Sequence, residues 1–368
     1  MDAVGAQASA GAAPAPISRR AGLAGLAVFL VILVAGLYWA KWGPYFQKGF
    51  VVAAHHTLGA SILSGTQSAP PAPSLGAAVS YWVSYMKAIW IALVAALLIA
   101  SGVEALLPRR WLLRLMSGRG AVDGVLAGVL AAPAMMCTCC SAPMAVSLRR
   151  SGVPVRSALA WWVGNPALNP AVIVFAAFIL PWQFVLLRAV AGVVLVFVVV
   201  ALVARLAGSS RVEAPDVEQA IAAYPGPSGP ADAARRYFKT LGRLVVTLVP
   251  EYLAIVLLLG AFRGYLFPIA QGAVGWWGPL LVVLFAVAGT LFVIPTAGEI
   301  PIVQGLLKAG LAVAPAAALL ITLPAVSLPS LAMVWRSFPP RVTIALAASV
   351  ALVGVLTALA AVPLLSGG

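Results

Sequence analysis

Charge is scarce in this chain. Asp, Glu, Lys and Arg make up only 9% of its 368 residues, and just nine of these are acidic. With so little charge a soluble globular fold is excluded, because the apolar remainder could not all be hidden from water. Cysteine is rarer still: there are three, too close in sequence to form a structural disulfide framework. No Walker motif is present, so ATP hydrolysis would need another subunit. The formal net charge of +14 has no basic domain to carry it, which argues against nucleic acid as a partner. What remains is 63% hydrophobic, with a mean hydropathy of +1.06. The solvent for such a chain is lipid, and the expectation is an all-α polytopic protein of the cell (inner) membrane.

The basic residues sit in short loops between hydrophobic runs, where they fix topology. Residues 1–20 read as a cytoplasmic tail ending in Arg19-Arg20. Residues 21–40 form a first transmembrane helix with no convincing cleavage site, so a retained helix is expected rather than a signal peptide. An outer loop over 41–73 carries His55-His56, read as an exposed pair. Residues 74–207 and 237–368 then form two permease-like halves, separated by a Pro/Gly/Ala-rich cytoplasmic linker over 208–236.

The halves repeat each other. Pro143, Gly152 and Pro166 recur as Pro301, Gly310 and Pro324, each displaced by 158 (301 against 143, 310 against 152, 324 against 166). Cytoplasmic placement of 109–119, 149–156, 205–243 and 336–341 satisfies the positive-inside bias. The third run, Val122 to Leu148, then enters and leaves on one side, as a hairpin of half-helices broken by Pro133, the cysteines and Pro143. Its repeat, Trp276 to Gly310, enters from the other side. Each half thus has three crossings plus one re-entrant hairpin, in inverted orientation, preceded by the extra N-terminal helix. Secondary transporters with this plan bind substrate at the midplane between broken helices.

All three cysteines fall in Cys137-Thr138-Cys139-Cys140, at the tip of the first hairpin. Thiolates are soft donors, suited to soft centres. Half-helix N-termini at the tip would favour the thiolate form. Met135, Met136 and Met144 add polarizable surface. Cys137 with Cys139, or Cys139 with Cys140, are the candidate pairs. Downstream, Asn165 and Asn169 in Gly164-Asn-Pro-Ala-Leu-Asn169 can satisfy freed backbone groups or hydrogen-bond substrate. The two Asn-Pro-Ala copies share one helix, unlike the one-per-half arrangement of an aquaporin.

These two motifs, in this order, resemble the Cys-Ser-Cys-Ser-x-x-Pro tip and Gly-x-Pro-Ala-x-Asn segment of the ArsP/YraQ-type permease family. The likeness runs from about residue 75 onward. Cys140 stands where the family more often has Ser or Gly. The resemblance implies a permease, and its ArsP members imply efflux of trivalent organoarsenicals.

By the repeat offset Glu299 matches Ser141, which places it at the opposing tip, near the thiols, as a proton-coupling carboxylate. Glu251 and Lys87 occupy early positions in equivalent helices and are candidates to pair or to line the route, Glu251 as a second coupling group. Asp123 and Glu104 read as caps or loop partners, Arg188 and Arg263 as outer-interface anchors. The expected function is a permease, not an enzyme. It exports thiol-reactive small molecules through a Cys-lined site, with no cofactor or resident metal and with the oligomeric state open. The alternatives are Cu(I) transport or a membrane thiol–disulfide oxidoreductase. Such an enzyme would normally use a Cys-x-x-Cys pair or separated shuttle pairs, and the chain is read as having neither.

Overall fold

A computed structural model describes residues 19–63, 71–117, 120–208, 229–266 and 278–365. The N-terminal tail up to residue 18, linker residues 209–228 and the start of the repeat run at Trp276 lie outside the described residues. Everything regular within them is helical. Among the described residues, seven helices are long and apolar enough to cross a bilayer: Gly22–His55, Leu75–Ala105, Val155–Ile179, Trp182–Arg205, Pro230–Leu266, Val313–Trp335 and Pro340–Leu365.

The first of these departs from the expected boundaries. α1 (Arg19–Leu37) runs through a π-helical turn, Tyr38–Trp42, into α2 (Gly43–His55), so residues 41–55 are helix and not outer loop. Lys41 suggested a membrane exit. It is buried instead, its Nζ hydrogen-bonded to the hydroxyls of Tyr45 and Thr296.

α3 (Leu75–Ala105) and the short α4 (Arg109–Met116) lead to the first broken run. α5 (Ala121–Ala131) ends in a 3₁₀ turn around Pro133, and Met135 takes a left-handed φ of 52°. Cys137 is extended and caps α6 (Thr138–Arg150). Pro143 does not break the chain as expected but is carried inside α6. α7 (Val155–Ala167) and α8 (Pro170–Ile179) are interrupted at Leu168-Asn169. The Asn169 side chain accepts from the Val172 N–H, and Pro170 occupies the first helical position, where α8 itself needs no N–H from it. α9 (Trp182–Val193) continues through a π segment into α10 (Val200–Arg205).

The same order follows in α11 (Pro230–Leu266), α12 (Gly278–Leu291), a second break at residues 292–298, α13 (Glu299–Lys308), α14 (Val313–Ala325), α15 (Leu328–Trp335) and α16 (Pro340–Leu365). Ala297 in the second break has φ 67°, as Met135 does in the first. α6 and α13 end alike, on Gly152 and Gly310, both at φ +91°. Val153 N–H reaches back to Leu148 and Leu311 N–H to Leu306, the six-to-one bonds of a Schellman stop that only glycine permits without strain.

Packing fixes the direction of each limb. Gly124 of α5 lies against Arg156, and Gly128 against Gly164, so α5 runs parallel to α7. α6 turns into α7 within four residues and Trp162 returns to Thr138, so α6 runs antiparallel to it. The two limbs of the third run therefore point opposite ways. Their outer ends share one arginine-rich side, where Arg109 donates to the Arg150 carbonyl, Ser157 to Met116 and Arg149 to Ser337. In the second half Val282 and Ala286 meet Ala314 and Ala318, and Gly289 meets Thr322, so α12 runs parallel to α14. The outer end of α13 is on the other side, with Gly305 beside Ser61.

Close helix approach depends on small residues. A Cβ added to Gly192 of α9 would stand 2.6 Å from the Ala167 carbonyl oxygen, whereas one on Gly242 of α11 meets nothing within 4 Å. Gly192→Ala should therefore destabilise by about 1–3 kcal/mol. Gly242→Ala should be neutral or gain up to about 1 kcal/mol from helix propensity. Thermal unfolding midpoints in detergent check both; equal midpoints would contradict the packing.

Candidate functional site

The two broken runs bring their tips together. Cys137 and Thr138 from the first, and Ile294, Pro295, Thr296, Ala297 and Glu299 from the second, line one small cavity. Pro166, Val172, Leu323 and Pro324, from the interrupted crossing helices, complete its wall. Its volume of about 10 Å³ leaves room for roughly one water molecule. The arrangement is closed: Cys137, Cys139, Cys140 and Glu299 are all buried.

The thiols do not pair as adjacency suggested. Cys137 Sγ lies 3.1 Å from Cys140 Sγ, and neither Cys137–Cys139 nor Cys139–Cys140 forms the close pair. The cause is the start of α6. With Cys137 at the cap and Cys140 in the first turn, an i, i+3 separation places both on one face. Cys139 turns away to Ser327, its Sγ 3.3 Å from that hydroxyl, beside Thr138 (Oγ1 to Ser327 Oγ 3.4 Å). The close pair has Cys-x-x-Cys spacing, contrary to the expectation that the chain lacks one. All three thiols are free.

Glu299 opens α13, where a carboxylate complements the positive helix end. Its Oε1 is 2.9 Å from Nη2 of Arg188, and both side chains are buried. Arg188 is therefore no interface anchor. Its Nη1 donates to Leu320 O at 3.1 Å and its Nη2 to Pro166 O at 3.0 Å. Neither acceptor is accidental, since each lies four residues before a proline, Pro324 and Pro170, that has no N–H to give. With Nη2 aimed at Pro166, the Glu299 contact is one of charge, and neither carboxylate oxygen receives an aligned hydrogen bond. A third proline-freed carbonyl, Trp162 O, four residues before Pro166, accepts from Ser141 Oγ at 3.3 Å.

Asn165 and Asn169 are buried one layer behind the cavity and do not line it. Asn165 Nδ2 bonds the Trp161 carbonyl and Asn169 caps α8, so their visible work is on the backbone. Glu251 is elsewhere. It is exposed on α11, at the wall of a separate groove of about 620 Å³ with Thr290, Trp335, Arg336 and Thr343. Lys87 is also exposed and forms no ion pair with Glu251. Glu104, within α3, pairs with Arg243 of α11, a tie between two helices and not a cap or a loop contact. Arg263 is buried, donating to the Ala77 carbonyl (3.3 Å) over the Tyr81 ring.

Three contributors were missed in the sequence. Lys41 Nζ bonds Thr296 Oγ1 at 2.9 Å, and Trp42 Nε1 bonds Pro133 O at 2.7 Å, so the N-terminal helix touches both tips. Ser327 could have been found, because the displacement of 158 carries Asn169 onto it. A column of buried tyrosines flanks the thiols: Tyr81 donates to Val293 O, and Tyr252 to Tyr85 at 2.9 Å.

Removing Arg188 should strand Glu299 and two carbonyls. Arg188→Met is expected to cost about 3–5 kcal/mol, and adding Glu299→Gln to recover part of it. Detergent melting of both single variants and the double variant checks the cycle; strict additivity would mean that the pair is not coupled.

Residues 74–362 match the family model described as a predicted permease, ArsP_1. The chain is 43% identical over 334 residues to UPF0718 protein YraQ of Escherichia coli (strain K12), covering 90% of this chain and 92% of that protein. No solved structure gives a significant match. A multi-pass helical bundle with two broken runs meeting at a buried cavity is thus joined to a sequence match over most of its length, and the chain belongs to the ArsP_1 family of predicted permeases.

Proposed function

We propose that this permease is a secondary transporter that exports trivalent organoarsenicals or similar thiol-reactive small molecules, with the cavity between the tips as its substrate site. The observation that carries this reading is the Cys137–Cys140 pair, two free thiols 3.1 Å apart on one tip, facing a second tip that bears Glu299. A methylarsenite has two exchangeable hydroxyls. Each As–O bond would be replaced by an As–S bond, the thiol proton leaving with the hydroxyl as water. Two thiols satisfy such a centre and keep capture reversible, while Cys139 stands by at Ser327.

The limb directions support an inverted pair of halves, and the arginine-rich side, by the positive-inside bias, is the cytoplasmic one. A cavity of about 10 Å³ holds no arsenical, so loading requires the tips to part. Rocking of one half against the other would open the site first to one side, then to the other. Glu299 is suited to proton coupling: protonation would release Arg188 from its charge partner and loosen the tie between α9 and the second tip. Glu251, on its separate groove, is a candidate only for a step outside the cavity.

In everted vesicles, accumulation of trivalent methylarsenical should fall at least about ten-fold in Cys137→Ser and Cys140→Ser, the loss of roughly 1.4 kcal/mol of capture or more, and less in Cys139→Ser. Undiminished transport by the first two variants would sink thiol capture.

The Cys-x-x-Cys spacing of that pair favours one second reading, a thiol–disulfide oxidoreductase. Mass mapping of membranes before and after a disulfide oxidant and a dithiol reductant separates the two. A Cys137–Cys140 disulfide that cycles with a partner protein marks the enzyme; thiols that stay reduced while transport proceeds mark the permease.

A further inference from the structure

The bundle buries a cation that neither the thiols nor Glu299 requires. Lys41 lies in the middle of the Gly22–His55 span, ahead of residues 74–362 that the family model matches, and is 4% exposed. Its Nζ has two hydroxyl partners, Thr296 Oγ1 at 2.9 Å and Tyr45 OH at 3.3 Å, and lies 5.4 Å from the Tyr45 ring centre. No carboxylate among the described residues pairs with it. Glu299 is the one carboxylate lining the cavity, and Arg188 already balances it. The site therefore carries one positive charge beyond balance. An ammonium group at this depth is costly unless something negative answers it.

The geometry shows where the answering charge belongs. Thr296, which holds Lys41, lines the same cavity as Cys137. Cys137 and Cys140 lie within electrostatic reach of Lys41, as do Tyr45 and a second cation, Lys48. The starts of α6 and α13 face each other across this space, with those of α8 and α15 beside them, and each contributes a positive helix end. A π-helical turn, a distortion that recurs at functional sites, carries Lys41 and Trp42 onto the two tips.

We propose that Lys41 is the fixed positive charge of the substrate site and that the cavity is built to hold one negative charge beside the Cys137–Cys140 pair. This rests on the cavity being the substrate site. Two sources share that chemistry: a thiolate of the pair formed during capture, or a thiol-reactive cargo that is itself an anion. Lys41 is thus a specificity-determining residue supplied by the N-terminal helix, ahead of the residues that the family model matches. It favours negatively charged occupants and disfavours cations such as Cu(I).

Iodoacetate and iodoacetamide test the proposal, since they alkylate sulfur by the same displacement of iodide and differ in charge. Purified full-length protein, Lys41→Arg, Lys41→Met and Lys41→Gln are treated in detergent, and alkylation of Cys137 and Cys140 is timed by peptide mass. If the anion is the incoming ligand, Lys41→Met and Lys41→Gln slow iodoacetate about ten-fold and leave iodoacetamide unchanged. If it is the thiolate, both reagents slow together. In either case Lys41→Arg keeps the parental rates. Rates that are the same in all four proteins overturn the proposal, as does an arginine variant that behaves like the methionine one. Lys41→Gln retains a donor for Thr296 and carries the comparison if the methionine variant does not fold. The readout is independent of transport. Unchanged charge selectivity with thiol-dependent export would sink this inference alone, and the opposite result would sink the transport reading alone.

Discussion

The fold turns on carbonyl groups that proline leaves without a partner inside a membrane. Every backbone polar group at that depth must find a bond within the protein, because lipid offers none. Pro170 and Pro324 free the carbonyls of Pro166 and Leu320, and one side chain, Arg188, reaches both. The same guanidinium then meets Glu299. Four elements of the two halves, α7, α9, α13 and α14, are thereby tied at one point. Ser141 does the matching work for Trp162, from within the cysteine-bearing helix. The breaks are tolerated because their neighbours repair them, and the repairs determine where the tips sit.

Breaking helices inside the bundle brings chemistry into a place that regular helices would keep inert. Four helix starts converge where an unbroken bundle would present only side-chain methyl groups. Cys137 reaches the cavity because it is a cap and not a mid-helix residue, and it meets Cys140 because α6 begins immediately after it. Left-handed backbone turns the first tip at Met135 and the second at Ala297, neither of them glycine. Such conformations persist only where surrounding packing over-determines them.

The sequence carried much of this. Clustered cysteines, arginine-rich loops and three residues recurring at one displacement were enough to place the thiols and Glu299 on facing tips. Hydropathy gave the crossing helices, since their length is set by the bilayer. Pairing inside the cluster was less legible, because it depends on which residue starts α6, and helix starts are the least certain part of any reading. Charge misled. Arg188 and Arg263 read as outer-interface anchors and residue 41 as the start of an outer loop, and only tertiary contacts show that hydroxyls, carbonyls and a carboxylate receive these buried cations. Asn165 and Asn169 were assigned to substrate or to backbone; their bonds in the closed arrangement are to the backbone.

The near-empty space between the tips bears on the membrane as an insulator. A file of water molecules through a protein conducts protons, and each charge that leaks across about 100 mV dissipates roughly 2.3 kcal/mol of stored gradient. A cavity with room for about one water molecule cannot support such a file. A transporter that rests in this form can stand in the membrane in many copies without discharging the potential it would draw on.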